Sequence, residues 1–202
     1  MTPRTTLVVV ESPAKARKVE HILRAERLLE GLVRVRACLG HLRDLPQDAL
    51  GVDVAGGFVP QYQPTPSREK VAHSLRATVR WAQAVYLATD PDREGEAVAW
   101  HFTKEFRFEL RGKSVWRTPF DALTPEALRE ALTAPRLLDM NLVQAAVARR
   151  VVDRLIGYHI SPRLWAAMKN RGKGFSFGRV QIAALHLLAE GEHWEVVSEW
   201  ET

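Results

Sequence analysis

The sequence holds one cysteine in 202 residues, Cys38, so no internal disulfide can form and a cross-linked scaffold is excluded. Cys38 lies in the alternating stretch VRVRACL and reads as a small buried hydrophobe rather than a reactive thiol. Long apolar runs are missing too. LVVV, near the start, is too short for a leader or a membrane span, and a Pro-Ala turn soon follows. Charge of one sign is not in strong excess: 29 Lys and Arg face 24 Asp and Glu, for a net +5. That surplus suits a polyanionic partner without requiring one. No internal repeat or low-complexity segment is present. What remains is the composition of a globular protein, 46% hydrophobic and 26% charged, with no membrane partner and an expected address in the cytoplasm.

The pattern of elements is more informative. TLVVVE is a short β-branched run that predicts a buried strand. SPAKARKVEHILRA follows, with Ser12 as N-cap, Pro13 at the first helical position, and Val19, Ile22 and Leu23 on one face. LVRVRACLGH predicts a second strand, AVYLATD a third and SVWRT a fourth. Residues 44–66, rich in Pro and Gly, predict an exposed loop, and Thr65-Pro66 opens a helix carrying Val71, Leu75 and Val79. Strands alternating with helices predict an α/β fold with a mostly parallel sheet flanked by helices. From Asp139 onward the pattern is mainly helical, and NLVQAAVARRVVDRLIG is expected to stop at Gly157. The domain expectation is therefore 1–138 for the sheet domain and 139–202 for a helical segment.

The third strand runs into ATDPDREGEAVAWH, where Asp90, Asp92, Glu94 and Glu96 crowd into seven positions. Glu11 ends the first strand as Asp90 ends the third. In a parallel sheet, sites form beyond the carboxyl ends of the strands, so Glu11, Asp90 and Asp92 converge if those strands are neighbours. Clustered carboxylates repel one another, and Mg²⁺, which prefers a few carboxylates and bridges to phosphate, would relieve the repulsion. The competing reading is an N-cap followed by a solvated acidic first turn. Lys15 could reach a phosphate as a point charge, or simply sit in solvent.

A second constellation is basic. Between Arg149 and Arg179 stand eight Lys and Arg against one acid, Asp153, with Trp165, Phe175 and Phe177 interleaved. Cations beside aromatic faces suit single-stranded nucleic acid. The alternative is a solvated helix face with its aromatics in the core, where Trp165 and Val180 are expected.

Four motifs, LVVVESPAKA, LGHLRDLP, YLATDPDREGEAVAWH and ARRVVDRLIGYHISPRLW running on to SFGRVQIAAL, together resemble the type IA DNA topoisomerases, bacterial topoisomerase I among them. The resemblance implies a Toprim fold over the first part and the start of a helical DNA-binding domain after it. Carried over by motif, it implies catalytic roles for Glu11 and Lys15. The metal set would be Asp90, Asp92, Glu94 and Glu11, holding Mg²⁺. His41, Arg150, Asp153, Ser176, Arg179 and Gln181 would line single-stranded DNA. Location at the nucleoid and partnership with further topoisomerase domains, in cis or in trans, follow from the same resemblance. The family's nucleophilic tyrosine motif has no counterpart in these residues: Tyr62, Tyr86 and Tyr158 all stand elsewhere, and Phe177 replaces a residue that is usually small. Two rivals stay open: a stand-alone Toprim nuclease using Mg²⁺-activated water, and a non-catalytic DNA-binding module.

Overall fold

The computed structural model describes residues 5–167 and 178–190. The chain divides into two compact units, Met1–Ala148 and Arg149–Thr202.

The first unit is built on a four-stranded sheet of β1 (Thr5–Val10), β2 (Leu32–Ala37), β7 (Ala84–Leu87) and β8 (Ser114–Arg117), in the order β2-β1-β7-β8. All three pairings are parallel, as expected for strands separated by helices. β1 is central and its apolar run is buried from Thr6 to Val10, which fits a strand covered on both faces. The strand period splits those residues between two cores. Leu7 and Val9 join Val85 and Leu87 under α2 (Glu69–Trp81) and α3 (Arg93–Glu105), against Leu75, Val79, Val98 and Phe102. Val8 and Val10 face the other way, against Val19 and Leu23 of α1 (Pro13–Ala25) and Leu128 of α4 (Pro125–Thr133).

The helix starts follow their caps. The Ser12 side chain accepts the Lys15 N–H at α1, and the Thr124 side chain accepts the Ala127 N–H at α4, each with proline at the start of the helix. From β1 the chain moves outward to β2, then returns across β1 to β7 and outward again to β8. The order therefore reverses between β1 and β7, the switch point at which open α/β sheets leave a crevice.

Three expectations about the elements need correction, and one about burial follows. Residues 44–66 are not a plain loop. They form two antiparallel pairs, β3 (Arg43–Asp44) with β6 (Gln63–Pro64) and β4 (Val52–Asp53) with β5 (Val59–Pro60), anchored by buried Leu45 and Val52. Two-residue strands carry too little periodicity to be read from sequence. Second, a 3₁₀ turn over Pro66–Arg68 precedes α2. Third, α5 (Met140–Ala167) passes through Gly157 and takes in Pro162. A lone glycine disfavours a helix by only about 1 kcal/mol relative to alanine, less than a long helix can offset.

In the second unit, α6 (Arg179–Glu190) leaves Val180 74% exposed, not in a core as expected, with Leu185, Leu187 and Leu188 exposed on the same helix. Ile182 of the same helix is half-buried. Trp165 is half-buried. The aromatic loop residues Phe175 and Phe177 lie outside the described residues. Among the described residues, no helix is long and apolar enough to cross a membrane.

Candidate active site

The ends of β1 and β7 bring Glu11 and Asp90 together. The Asp90 N–H donates to Glu11 Oε1 at 3.2 Å, and Lys15, one turn into α1, donates to the Asp90 carboxylate. Burial acts first to raise the Glu11 pKa. The Asp90 N–H and the Lys15 charge pull it down, while the Asp90 carboxylate pushes it up, and the net direction is upward.

The other outer acids face different partners. Asp92 is the N-cap of α3: its Oδ1 accepts the Gly95 N–H at 2.7 Å. Glu94 is exposed and reaches the ring of His41, with Oε1 2.6 Å from Nε2. Among the described residues, no three His, Cys, Asp or Glu side chains are already arranged around a metal position. The donor set still fits a hard cation in kind, because Glu11 and Asp90 are two carboxylates in mutual repulsion at one point.

Glu96 belongs to another structure altogether. It is fully buried and holds two guanidiniums: Arg117 Nε donates to it at 2.8 Å, and Arg136 donates at 2.9 and 3.0 Å. The Asp139 N–H adds a further bond at 2.7 Å. Burial works against its charge, but these donors outweigh it and hold the carboxyl below the usual range. Arg117, itself buried, also donates to the carbonyls of Leu87, Thr89 and Asp90. One guanidinium thus ties the buried acid to the backbone that presents Asp90.

Gly95 completes the brace. A Cβ there would stand 2.2 Å from the Asp90 carbonyl oxygen, so only glycine lets the first turn of α3 pack against that backbone. The backbone after β2 is fixed as well. The Cys38 and Leu39 N–H groups donate to the Val10 and Glu11 carbonyls at 2.9 Å, and Leu39 takes φ +60°, which carries His41 to Glu94.

Sequence reading missed Arg117, Arg136 and His101. A basic residue at the end of a short strand carries no signal of burial, and its partner, Glu96, stands in line with the outer acids along the chain. His101, at 3.0 Å from His41 through the two Nδ1 atoms, is buried against Tyr62 and Trp100. Tyr62 is thereby engaged in ring packing, Tyr86 is half-buried in β7, and Tyr158 lies 48% exposed within α5.

In the second unit, Arg150 and Asp153 lie on α5, with Arg149 Nε 3.8 Å from Asp153 Oδ2. Gln181 lies on α6 and accepts the Gly178 N–H at 3.2 Å. Arg179 opens α6, and its side chain falls outside the description. Ser176 lies outside the described residues.

Comparison with known proteins bears on the family and the fold. Residues 6–120 match the Toprim domain, and residues 137–195 match a model described as DNA topoisomerase. The chain belongs to the Toprim family, in the type IA DNA topoisomerase branch. A full-length topoisomerase I from Thermotoga maritima, solved in a monoclinic crystal form, is similar at 39% identity over 92% of this chain, with a TM-score of 0.75. The chain covers 30% of the length of that protein. The all-parallel sheet with its flanking helices is the Toprim-type α/β fold expected from the sequence.

Proposed function

We propose that this chain provides the Mg²⁺-binding and single-stranded-DNA-binding part of a type IA topoisomerase, acting in DNA cleavage and religation together with the domain that carries the nucleophilic tyrosine. The observation that carries the reading is the meeting of Glu11, Asp90 and Lys15 at the switch point between β1 and β7. Asp90, Asp92 and Glu94, with Glu11, would hold the Mg²⁺, whose part is to counter the charge of a DNA phosphate. The raised pKa of Glu11 suits a proton donor to a leaving sugar oxygen, because more of the acid form survives near neutral pH. Lys15, now paired with Asp90, is placed to meet a phosphate once a cation takes over that carboxylate. His41, Arg150, Asp153, Ser176, Arg179 and Gln181 would follow the DNA strand. The cytoplasm, at the nucleoid, is the matching location.

The experiment combines binding and chemistry. Labelled single-stranded DNA is titrated with the chain at several salt concentrations, then incubated with Mg²⁺ and run on a denaturing gel. The reading predicts salt-sensitive binding, with Arg150→Ala lowering affinity and flattening the log–log salt slope by about 0.7 for a single phosphate that is no longer neutralised. It also predicts no protein-linked band from the chain alone. A band that appears when the tyrosine-bearing domains are added in trans supports the reading. Cleavage without an adduct would favour the Mg²⁺-dependent nuclease, and unchanged binding in Arg150→Ala would place the DNA path elsewhere.

A further inference from the structure

Two turns along α3 from Glu94, the same helix carries His101, and the ring of His41 lies between them. We propose that His101 is a positioning residue: its Nδ1–H holds the His41 ring so that the Nε2–H of His41 faces Glu94. The inference rests on the reading of Glu94 as part of the acidic site.

The hydrogen count selects this arrangement. The two Nδ1 atoms are 3.0 Å apart, so one donates and the other accepts. If neutral His41 donated, its bare Nε2 lone pair would stand 2.6 Å from the Glu94 oxygen, lone pair against lone pair. With the proton on His101 Nδ1, His41 Nδ1 accepts and His41 Nε2–H donates to the carboxylate. The rings of Tyr62 and Trp100 pack against this donor, with centroids 4.5 and 4.9 Å from that of His101. Burial is the leading cause that lowers the His101 pKa to about 3, so the ring stays neutral and can serve as this fixed donor.

The aromatic box explains how such a donor keeps its orientation. Tyr62 comes from the β5–β6 connection and Trp100 from α3, and both rings pack on His101. His41 itself is brought in by the turn after β2, where Leu39 and Gly40 both take positive φ.

The test is long-range ¹H–¹⁵N correlation of the histidine rings in the full chain without metal, at about pH 8.5, where an imidazole is ordinarily neutral. The expected wild-type spectrum shows His101 as the Nδ1–H tautomer and His41 as the Nε2–H tautomer. His101→Phe keeps a ring but no donor. With folding verified by thermal denaturation, it should move the His41 Nδ1 resonance by several ppm toward that of a free acceptor. His101→Asn, whose amide can return a donor near the Nδ1 position, should restore most of that shift. An Nε2–H tautomer at wild-type His101 overturns the proposal, as does a His41 resonance unchanged in folded His101→Phe. If His101→Phe does not fold, the wild-type tautomers decide the matter alone. Failure of Mg²⁺ or DNA binding would count against the functional reading, while these spectra address only the pair of rings.

Discussion

The junction of β7 and α3 presents two sets of acids with opposite fates. The inner set is Glu96 alone, sealed among Arg117, Arg136 and the Asp139 N–H. The outer set is Glu11, Asp90, Asp92 and Glu94, which share Lys15, the Gly95 N–H and His41. The pKa directions follow: Glu96 lies below the usual carboxylate range and Glu11 above it. Inside, charge is overcompensated and the result is a brace for the backbone. Outside, burial leads the rise at Glu11 and the Asp90 carboxylate adds to it, and a cation would relieve both. Residues two apart in sequence thus have opposite surroundings, one sealed in the core and one open to solvent.

The comparison breaks most visibly at Glu96. Glu96→Ala leaves two guanidiniums facing a buried gap, and removing one partner of a buried pair costs about 3–5 kcal/mol. Urea denaturation should show that loss. A loss comparable to that of a surface Glu→Ala change would mean the inner set is not a brace.

Asp92 comes next. As an N-cap, its replacement by alanine should cost about 1 kcal/mol in the same assay, while Asp92→Asn, which keeps an accepting oxygen, should cost little. Equal losses in the two variants would assign Asp92 a charge role even without metal.

Glu11 gives a smaller effect and a distinctive sign. With its folded pKa raised above 4.5, the folded state holds the proton more tightly, so this group lowers stability as pH rises through that range. Glu11→Gln should therefore raise Tm at neutral pH, with the gain fading as pH falls toward about 4.5, the ordinary glutamate value, and absent below it. Glu96 slopes the other way: its contribution is present above the ordinary range and is lost as pH falls.

Much of this was legible in sequence because local patterns matched the tertiary result. The apolar run of β1 and the Ser12-Pro13 start predicted their elements, and Glu11 and Asp90 at two strand ends predicted their meeting. The inner set was not legible. Nothing in the spacing of Asp90, Asp92, Glu94 and Glu96 shows that the last points into the core, because Arg117 and Arg136 come from a later strand and a later loop. The two short β pairs and the passage of α5 through Gly157 were hidden for another reason: two-residue strands carry too little periodicity, and one glycine costs less than a 28-residue helix can offset.

The most direct test is calorimetric titration of Mg²⁺ into the chain and into Asp90→Asn/Asp92→Asn. Asparagine keeps the Asp92 cap and the side-chain shapes while removing two of the four outer charges. The account predicts saturable binding to the wild type that is lost in the double variant, with the apo form of the variant still folded. Binding of equal strength to both proteins would contradict it, for then the outer acids at the β1–β7 switch point would not be what attracts the metal.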